Sequence, residues 1–222
     1  MLSILLPILA VILGYAATYI LKSGAKATQL LLSYSGALLL SVTVFEFLPE
    51  VYQNYSPTIG LLIMGGILLQ VFLEFMSKGA EHGHLHEDEN NKEFPILLFI
   101  SLCIHSFMEG FPINTNTHLL YGVVIHKIPV AIIICTFLIH SKMSRSKIIT
   151  FLTVFALMTP LGSIFNQAII TSALVEHYIE AVVIGIFLHV STTILFESSR
   201  NHHFNWSKII LIVLGVLTAY VI

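Results

Sequence analysis

The sequence predicts an all-α integral membrane protein with eight transmembrane helices. Of its 222 residues, 56% are hydrophobic and only 10% are charged, whereas soluble domains carry about 25% charged residues. The mean hydropathy of +0.91 has the same implication, because too little polar surface is available to face water. The apolar residues fall into eight runs of roughly 20 residues, which is the length that crosses a bilayer as a helix.

The eight runs account for most of the chain and predict one transmembrane domain covering residues 1–222. The predicted spans are 2–21, 29–49, 58–77, 95–113, 118–140, 148–171, 178–197 and 207–222. The first run has no basic segment before it and no clear small-residue cleavage site, so we expect a retained helix and not a signal peptide. Residues 78–94 form the only long polar stretch.

The basic residues define the predicted orientation. Nine of the ten Lys and Arg residues lie between spans one and two, three and four, five and six, or seven and eight. By the positive-inside rule these four loops are cytoplasmic and both termini are outside. We therefore expect a multi-pass protein of the plasma membrane or a bacterial inner membrane, with the lipid bilayer as its surroundings. A net charge of −2 gives no indication of nucleic-acid binding.

Two polar segments interrupt the apolar runs, HSFMEG (105–110) in span four and HKIPVA (126–131) in span five. Ionisable residues inside a membrane span are candidates for function. The two spans are antiparallel, and His105 and His126 are equally far from the turn between them, roughly 16 Å at ~1.5 Å per residue. Glu109 follows His105 by four residues and shares its helix face. These three side chains predict a divalent-metal site at mid-membrane, suited to zinc, iron, manganese or cadmium.

Several alternatives remain open at this stage. The buried histidines could form a proton relay without metal, or polar packing between helices. Lys127 could extend towards an interface. Cys103 is two residues from His105 and faces another way, so we do not expect it to be a ligand. Pro129 removes a backbone hydrogen bond and predicts a broken helix at the site. A membrane-embedded zinc hydrolase, a receptor and a proton channel are the competing functions.

Other polar residues are candidates for the path of the metal ion, and several glycines are candidates for close helix packing. Glu46 and Glu50 end span two near the outside, and Glu74 lies in span three near the cytoplasm. His189 is expected to pack against a neighbouring helix or to hydrogen-bond to it. An acidic cytoplasmic loop carries three alternating histidines that could bind metal loosely: His82, His84 and His86. Close helix packing is expected at the small residues Gly36, Gly65, Gly66, Gly162 and Gly185.

The paired segments HSFMEG and HKIPVA resemble the fourth and fifth helices of the ZIP family (Zrt-, Irt-like proteins). FEFLPE (45–50) resembles the end of its second helix, and GIFLHVSTTILFE (185–197) resembles its seventh. The resemblance implies a 3+2+3 inverted-repeat fold and a transporter instead of an enzyme. It also implies import of a divalent metal, zinc before Fe²⁺, Mn²⁺ or Cd²⁺, by alternating access. A homodimer is compatible with it.

The resemblance also assigns roles to individual positions. The positions of the family's primary metal site are occupied by His105, Glu109 and His126. The positions that complete a second metal site in binuclear members are occupied by residues with neither a carboxylate nor an imidazole group: Ser106, Lys127, Val130 and Thr159. An ammonium group beside Glu109 would partly neutralise the carboxylate and repel a second cation. We therefore expect a single metal ion in the transport site.

Overall fold

The computed structural model of the chain describes residues 1–20, 25–53, 56–77, 95–141, 143–197 and 206–222. Within these ranges the regular structure is entirely helical, which confirms the predicted all-α class. The helices are α1 Leu2–Ile20, α2 Ala25–Val42, α3 Leu48–Tyr52, α4 Pro57–Ser77, α5 Ile96–Glu109, α6 Thr117–His140, α7 Arg145–Ile169, α8 Ala173–Glu197 and α9 Trp206–Val221. A π-helical segment, Thr43–Phe47, joins α2 to α3.

Seven helices of the described chain are long and apolar enough to cross a membrane. One of them is the continuous rod Lys26–Tyr52, formed by α2, the π-helical segment and α3. The final helix α9 is apolar but has 16 residues, or ~24 Å at ~1.5 Å per residue. The multi-pass membrane character is thus supported, whereas the eighth crossing, the orientation and the single-domain organisation stay predictions.

The connection between α5 and α6 differs from the predicted simple turn. Helix α5 ends at Glu109, and a 3₁₀ turn at Pro112–Asn114 follows before α6 begins. Asn116 caps α6, because its side-chain oxygen accepts a hydrogen bond from Leu119 N at 2.9 Å. Helix α6 then runs without interruption through Pro129, so the predicted break at this proline is wrong. Membrane helices tolerate proline where neighbouring helices, side chains or local backbone adjustments compensate the freed backbone groups.

The helices contact one another in two groups. Helix α1 packs on α6 and α7, and α5 packs on α7. In the second group α4 and α2 pack on α8, and α9 packs on α2. The groups meet where α2 contacts α6 and where α4 contacts α5. The polar segments of α5 and α6 both belong to the first group and lie close to these junctions.

Glycines create two very close helix crossings. A Cβ atom added to Gly66 of α4 would overlap the carbonyl oxygen of Val182, and Gly185 of α8 lies opposite. Gly110 and Gly162 form the equivalent contact between the end of α5 and α7. Nothing lies within 4 Å of a Cβ added to Gly65, so the expectation that this glycine serves packing is wrong. Backbones in direct contact fix the register of each helix pair.

Candidate metal site

Three ligand side chains converge between α5 and α6. One ligand atom from each of His105, Glu109 and His126 lies within 4.8 Å of the other two, and all three residues are buried. Within the described ranges this is the one group of three or more His, Cys, Asp or Glu side chains that could surround a single ion. The structure therefore brings together the three residues that the sequence pairs by spacing and depth.

Helical geometry explains the convergence. His105 and Glu109 are one turn apart on α5, and His105 Nε2 lies 3.0 Å from Glu109 Oε1. Helix α6 contributes His126, whose ligand atom lies within 4.8 Å of those of His105 and Glu109. The other ring nitrogen of His105, Nδ1, lies 3.0 Å from Gln70 Oε1 on α4. A ligand set of two imidazole groups and one carboxylate is typical of zinc and other divalent transition metals.

Lys127 places a positive charge directly beside this ligand set. Its Nζ donates to Glu109 Oε2 at 2.9 Å and to Ser106 Oγ at 2.8 Å. The same nitrogen lies 4.7 Å from the centre of the Phe155 ring, a cation–π contact. Only 2% of Lys127 is exposed, so its side chain does not extend to an interface. The two oxygens of Glu109 are thus shared between an imidazole group and an ammonium group.

Three of the four positions corresponding to a second metal site, Ser106, Lys127 and Thr159, are joined by hydrogen bonds instead. Thr159 Oγ1 donates to the carbonyl oxygen of Ser106 at 2.9 Å. The hydroxyl groups of Ser106 and Thr159 are also 2.9 Å apart. Val130 is buried in an apolar cluster that includes Phe155. These residues offer a dication no carboxylate, and Lys127 already neutralises the nearby one.

Two further Glu–His pairs flank the site. Glu46 Oε1 lies 2.5 Å from His118 Nδ1, and Asn116 Nδ2 donates to Glu46 Oε2 at 3.5 Å. Both members of this pair are partly exposed. Glu74 Oε2 lies 2.6 Å from His189 Nε2, so of the two expected roles of His189 the structure shows the hydrogen bond. The structure does not bring any of these four residues into the central cluster.

The remaining candidates stay outside this arrangement. Glu50 is exposed on α3. The loop histidines His82, His84 and His86 lie outside the described residues, so their proposed role stays a prediction. Sequence reasoning overlooked Gln70 and His118. The spacing of Gln70 and Glu74, one turn apart on an apolar helix, is the signal that could have indicated Gln70.

The fold and this cluster define a multi-pass, all-α membrane protein with a buried ligand set of the composition used for transition metals. The model of the ZIP zinc transporter family matches residues 80–222, a range that includes α5 to α9 and all three ligands. The chain belongs to the ZIP zinc transporter family. Members of this family are transporters and not enzymes, so the hydrolase alternative is not favoured.

Two relatives agree with this assignment. The chain is 29% identical to the protein zntD of Dictyostelium discoideum over 150 residues, covering 58% of this chain and 22% of the relative. It is 26% identical to the zinc transporter ZIP1 of Danio rerio over 127 residues, covering 51% of this chain and 42% of the relative. The matches thus span less than half the length of either relative.

Proposed function

We propose that this protein carries a divalent transition metal, zinc in the first instance, across a membrane through the His105–Glu109–His126 cluster. The convergence of these three buried side chains from two apolar helices is the observation that supports the proposal. Polar groups at this depth are costly unless a partner compensates them. A dication bound by one carboxylate and two imidazole groups would supply that compensation, and membership of a transporter family favours transport.

The site binds one ion at a time. The ammonium group of Lys127 stands 2.9 Å from Glu109 Oε2, where a second cation would need to share the carboxylate. Two like charges at such a distance repel strongly in a medium of low dielectric constant. Val130 and Thr159 provide no additional carboxylate that could outweigh this repulsion.

The proposed direction is import towards the cytoplasm by alternating access. On the predicted topology Glu46 and His118 stand on the external side of the cluster, and Glu74 and His189 on the cytoplasmic side. The loop with His82, His84 and His86 would then receive the metal. The two helix groups, which meet at the α2–α6 and α4–α5 contacts, are the units that would move relative to each other.

Metal flux into liposomes tests the proposal. Purified wild-type protein should carry Zn²⁺ or Cd²⁺ into vesicles, and Glu109→Ala should abolish the flux. Because Glu109→Ala leaves the Lys127 ammonium group buried without its counter-charge, His126→Ala provides a second variant that spares this ion pair. His140→Ala, at the end of the same helix, is the matched control and should retain flux. Flux that survives His126→Ala and Glu109→Ala would refute the assigned site, and wild-type vesicles without flux would refute transport.

A further inference from the structure

Gln70 is a buried amide within the predominantly apolar helix α4. It is 0% exposed, and its side chain reaches across to α5, where Oε1 lies 3.0 Å from His105 Nδ1. A primary amide inside an apolar helix is costly unless its polar atoms are hydrogen-bonded. The contact with a proposed metal ligand gives this amide a specific role beyond packing.

We propose that Gln70 is a positioning residue that orients His105 for metal binding, a role that rests on the proposed function of the central cluster. The two nitrogens of an imidazole ring point away from each other. When Nδ1–H donates to the amide oxygen of Gln70, the lone pair of a neutral ring is on Nε2. That nitrogen faces Glu109 Oε1 at 3.0 Å, so a metal ion that replaces the proton between them would bind the Nε2 lone pair and the carboxylate together.

An amide has an advantage over the carboxylate that often supports a ligating histidine. Its oxygen accepts a hydrogen bond from Nδ1–H without adding negative charge to the cluster. The central site already balances one carboxylate, Glu109, against one ammonium group, Lys127. Because Gln70 is neutral, it leaves the charges of Glu109 and Lys127 balanced. The net charge that an arriving dication meets is then set by the residues of the central site alone.

The hydrogen bond between Gln70 and His105 also connects the two helix groups. Gln70 lies on α4, which packs on α8, whereas His105 lies on α5, which packs on α7. A displacement of α5 along α4 by one helical turn, ~5.4 Å, would separate the amide from the ring. Metal affinity at His105 therefore depends on the relative position of the two groups, and losing the support favours release of the ion.

Equilibrium binding of Cd²⁺ to detergent-solubilised full-length protein tests this role without requiring transport. Gln70→Met preserves side-chain length and removes the acceptor, and it should weaken the affinity of the triad site by about 10- to 100-fold. Gln70→Glu restores an acceptor and should recover most of the affinity. The matched control is Ser101→Ala, which removes another buried α4–α5 hydrogen bond, from Ser101 Oγ to Leu73 O at 2.5 Å, that involves no ligand side chain.

A spectroscopic measurement separates orientation from helix packing. In Cd²⁺-loaded protein the ¹⁵N chemical shifts of His105 should show metal on Nε2 and a proton on Nδ1, and Gln70→Met should broaden or mix these signals. Equal losses of affinity in Gln70→Met and Ser101→Ala, or unchanged affinity in Gln70→Met, would overturn the positioning role alone. If wild-type protein shows no Cd²⁺ site that depends on His126, both this inference and the proposed function fail.

Discussion

The ammonium nitrogen of Lys127 lies 2.9 Å from Glu109 Oε2, and both residues are only 2% exposed. Their helices, α6 and α5, also carry the three side chains of the candidate metal site. Removing one member of a buried ion pair leaves an uncompensated charge, which is far more costly than losing the pair as a whole. This relationship makes the metal-free protein dependent on Lys127 for charge compensation at Glu109.

Lys127→Met should therefore destabilise the metal-free protein by about 3–5 kcal/mol, the usual cost of breaking a buried pair. Zinc should recover part of this loss, because a bound dication supplies the missing positive charge to Glu109. Thermal unfolding in detergent, with and without Zn²⁺, measures both effects. Zinc should thus raise the melting temperature of Lys127→Met more than that of the wild type.

The double variant Glu109→Gln with Lys127→Met is the internal control. It removes both charges, so its metal-free stability should exceed that of Lys127→Met alone, and zinc should no longer stabilise it through Glu109. Equal zinc stabilisation of the wild type and Lys127→Met would show that the ammonium group does not act as a substitute cation.

A second prediction concerns the number of bound ions. The wild type should lose one bound Cd²⁺ per chain when His126 is replaced by Ala. Lys127→Asn with Val130→Glu removes the ammonium group and adds a carboxylate one turn from His126, so this background should lose two ions on the same replacement. Equilibrium dialysis with metal quantification gives the count, and comparing each protein with its own His126→Ala form cancels metal held by the histidine-rich loop.

If two ions already depend on His126 in the wild type, the single-ion hypothesis is wrong. Val130 packs in an apolar cluster, so the designed carboxylate could disturb the fold. Val130→Gln with Lys127→Asn has nearly the same shape but lacks the charge, and it should bind one ion.

The sequence was sufficient to predict that His105, Glu109 and His126 converge, because helical periodicity and charge placement both constrain their positions. His105 and Glu109 share a face by their spacing alone, and the basic loops make α5 and α6 antiparallel, which puts His126 at the same depth. Gln70 and His118 escaped prediction because their contacts depend on which face of α4 meets α5 and how the π-helical segment turns Glu46. Such lateral contacts are set by tertiary packing, about which the periodicity of one helix carries little information.

Gly65 and Gly66 of α4 are a second case in which the sequence does not reveal a lateral contact. They also provide a matched pair for a test. Gly66→Ala places a methyl group against the carbonyl oxygen of Val182, whereas Gly65→Ala meets open space. Gly66→Ala should lower stability by about 1–3 kcal/mol through overpacking. Gly65→Ala should leave stability unchanged or raise it slightly, because alanine favours a helix. Thermal unfolding of the two variants in one detergent decides the comparison, and similar melting temperatures would contradict the close crossing.

The Glu46–His118 pair predicts an effect on metal capture. Glu46 and His118 are partly exposed and lie outside the central cluster, so the carboxylate of Glu46 can raise the local concentration of cations at the proposed entrance. Glu46→Gln should raise the apparent KM for Zn²⁺ several-fold with little change in the maximum rate of liposome uptake, and the effect should shrink at high salt.

The control is Glu176→Gln, which removes a carboxylate in the first turn of α8 and should leave KM unchanged. A reduced maximum rate with unaltered KM would instead assign Glu46 to a later step.

The Glu74–His189 pair predicts the complementary effect on metal release. Glu74 lies one turn beyond Gln70 on α4, ~6 Å further along the helix, and its carboxylate meets His189 Nε2 at 2.6 Å. An ion leaving the central cluster on this side would meet an oxygen and a nitrogen ligand, which suit a divalent transition metal, before reaching water. Glu74→Gln keeps a hydrogen-bond acceptor for His189 but loses the charge, so it should lower the maximum uptake rate while Cd²⁺ affinity at the triad stays unchanged.

Ser77→Ala, which removes only a hydrogen bond to the Glu74 carbonyl oxygen, should preserve the rate. A full uptake rate in Glu74→Gln would show that the pair is structural, because the charge is then dispensable for the passage of the ion.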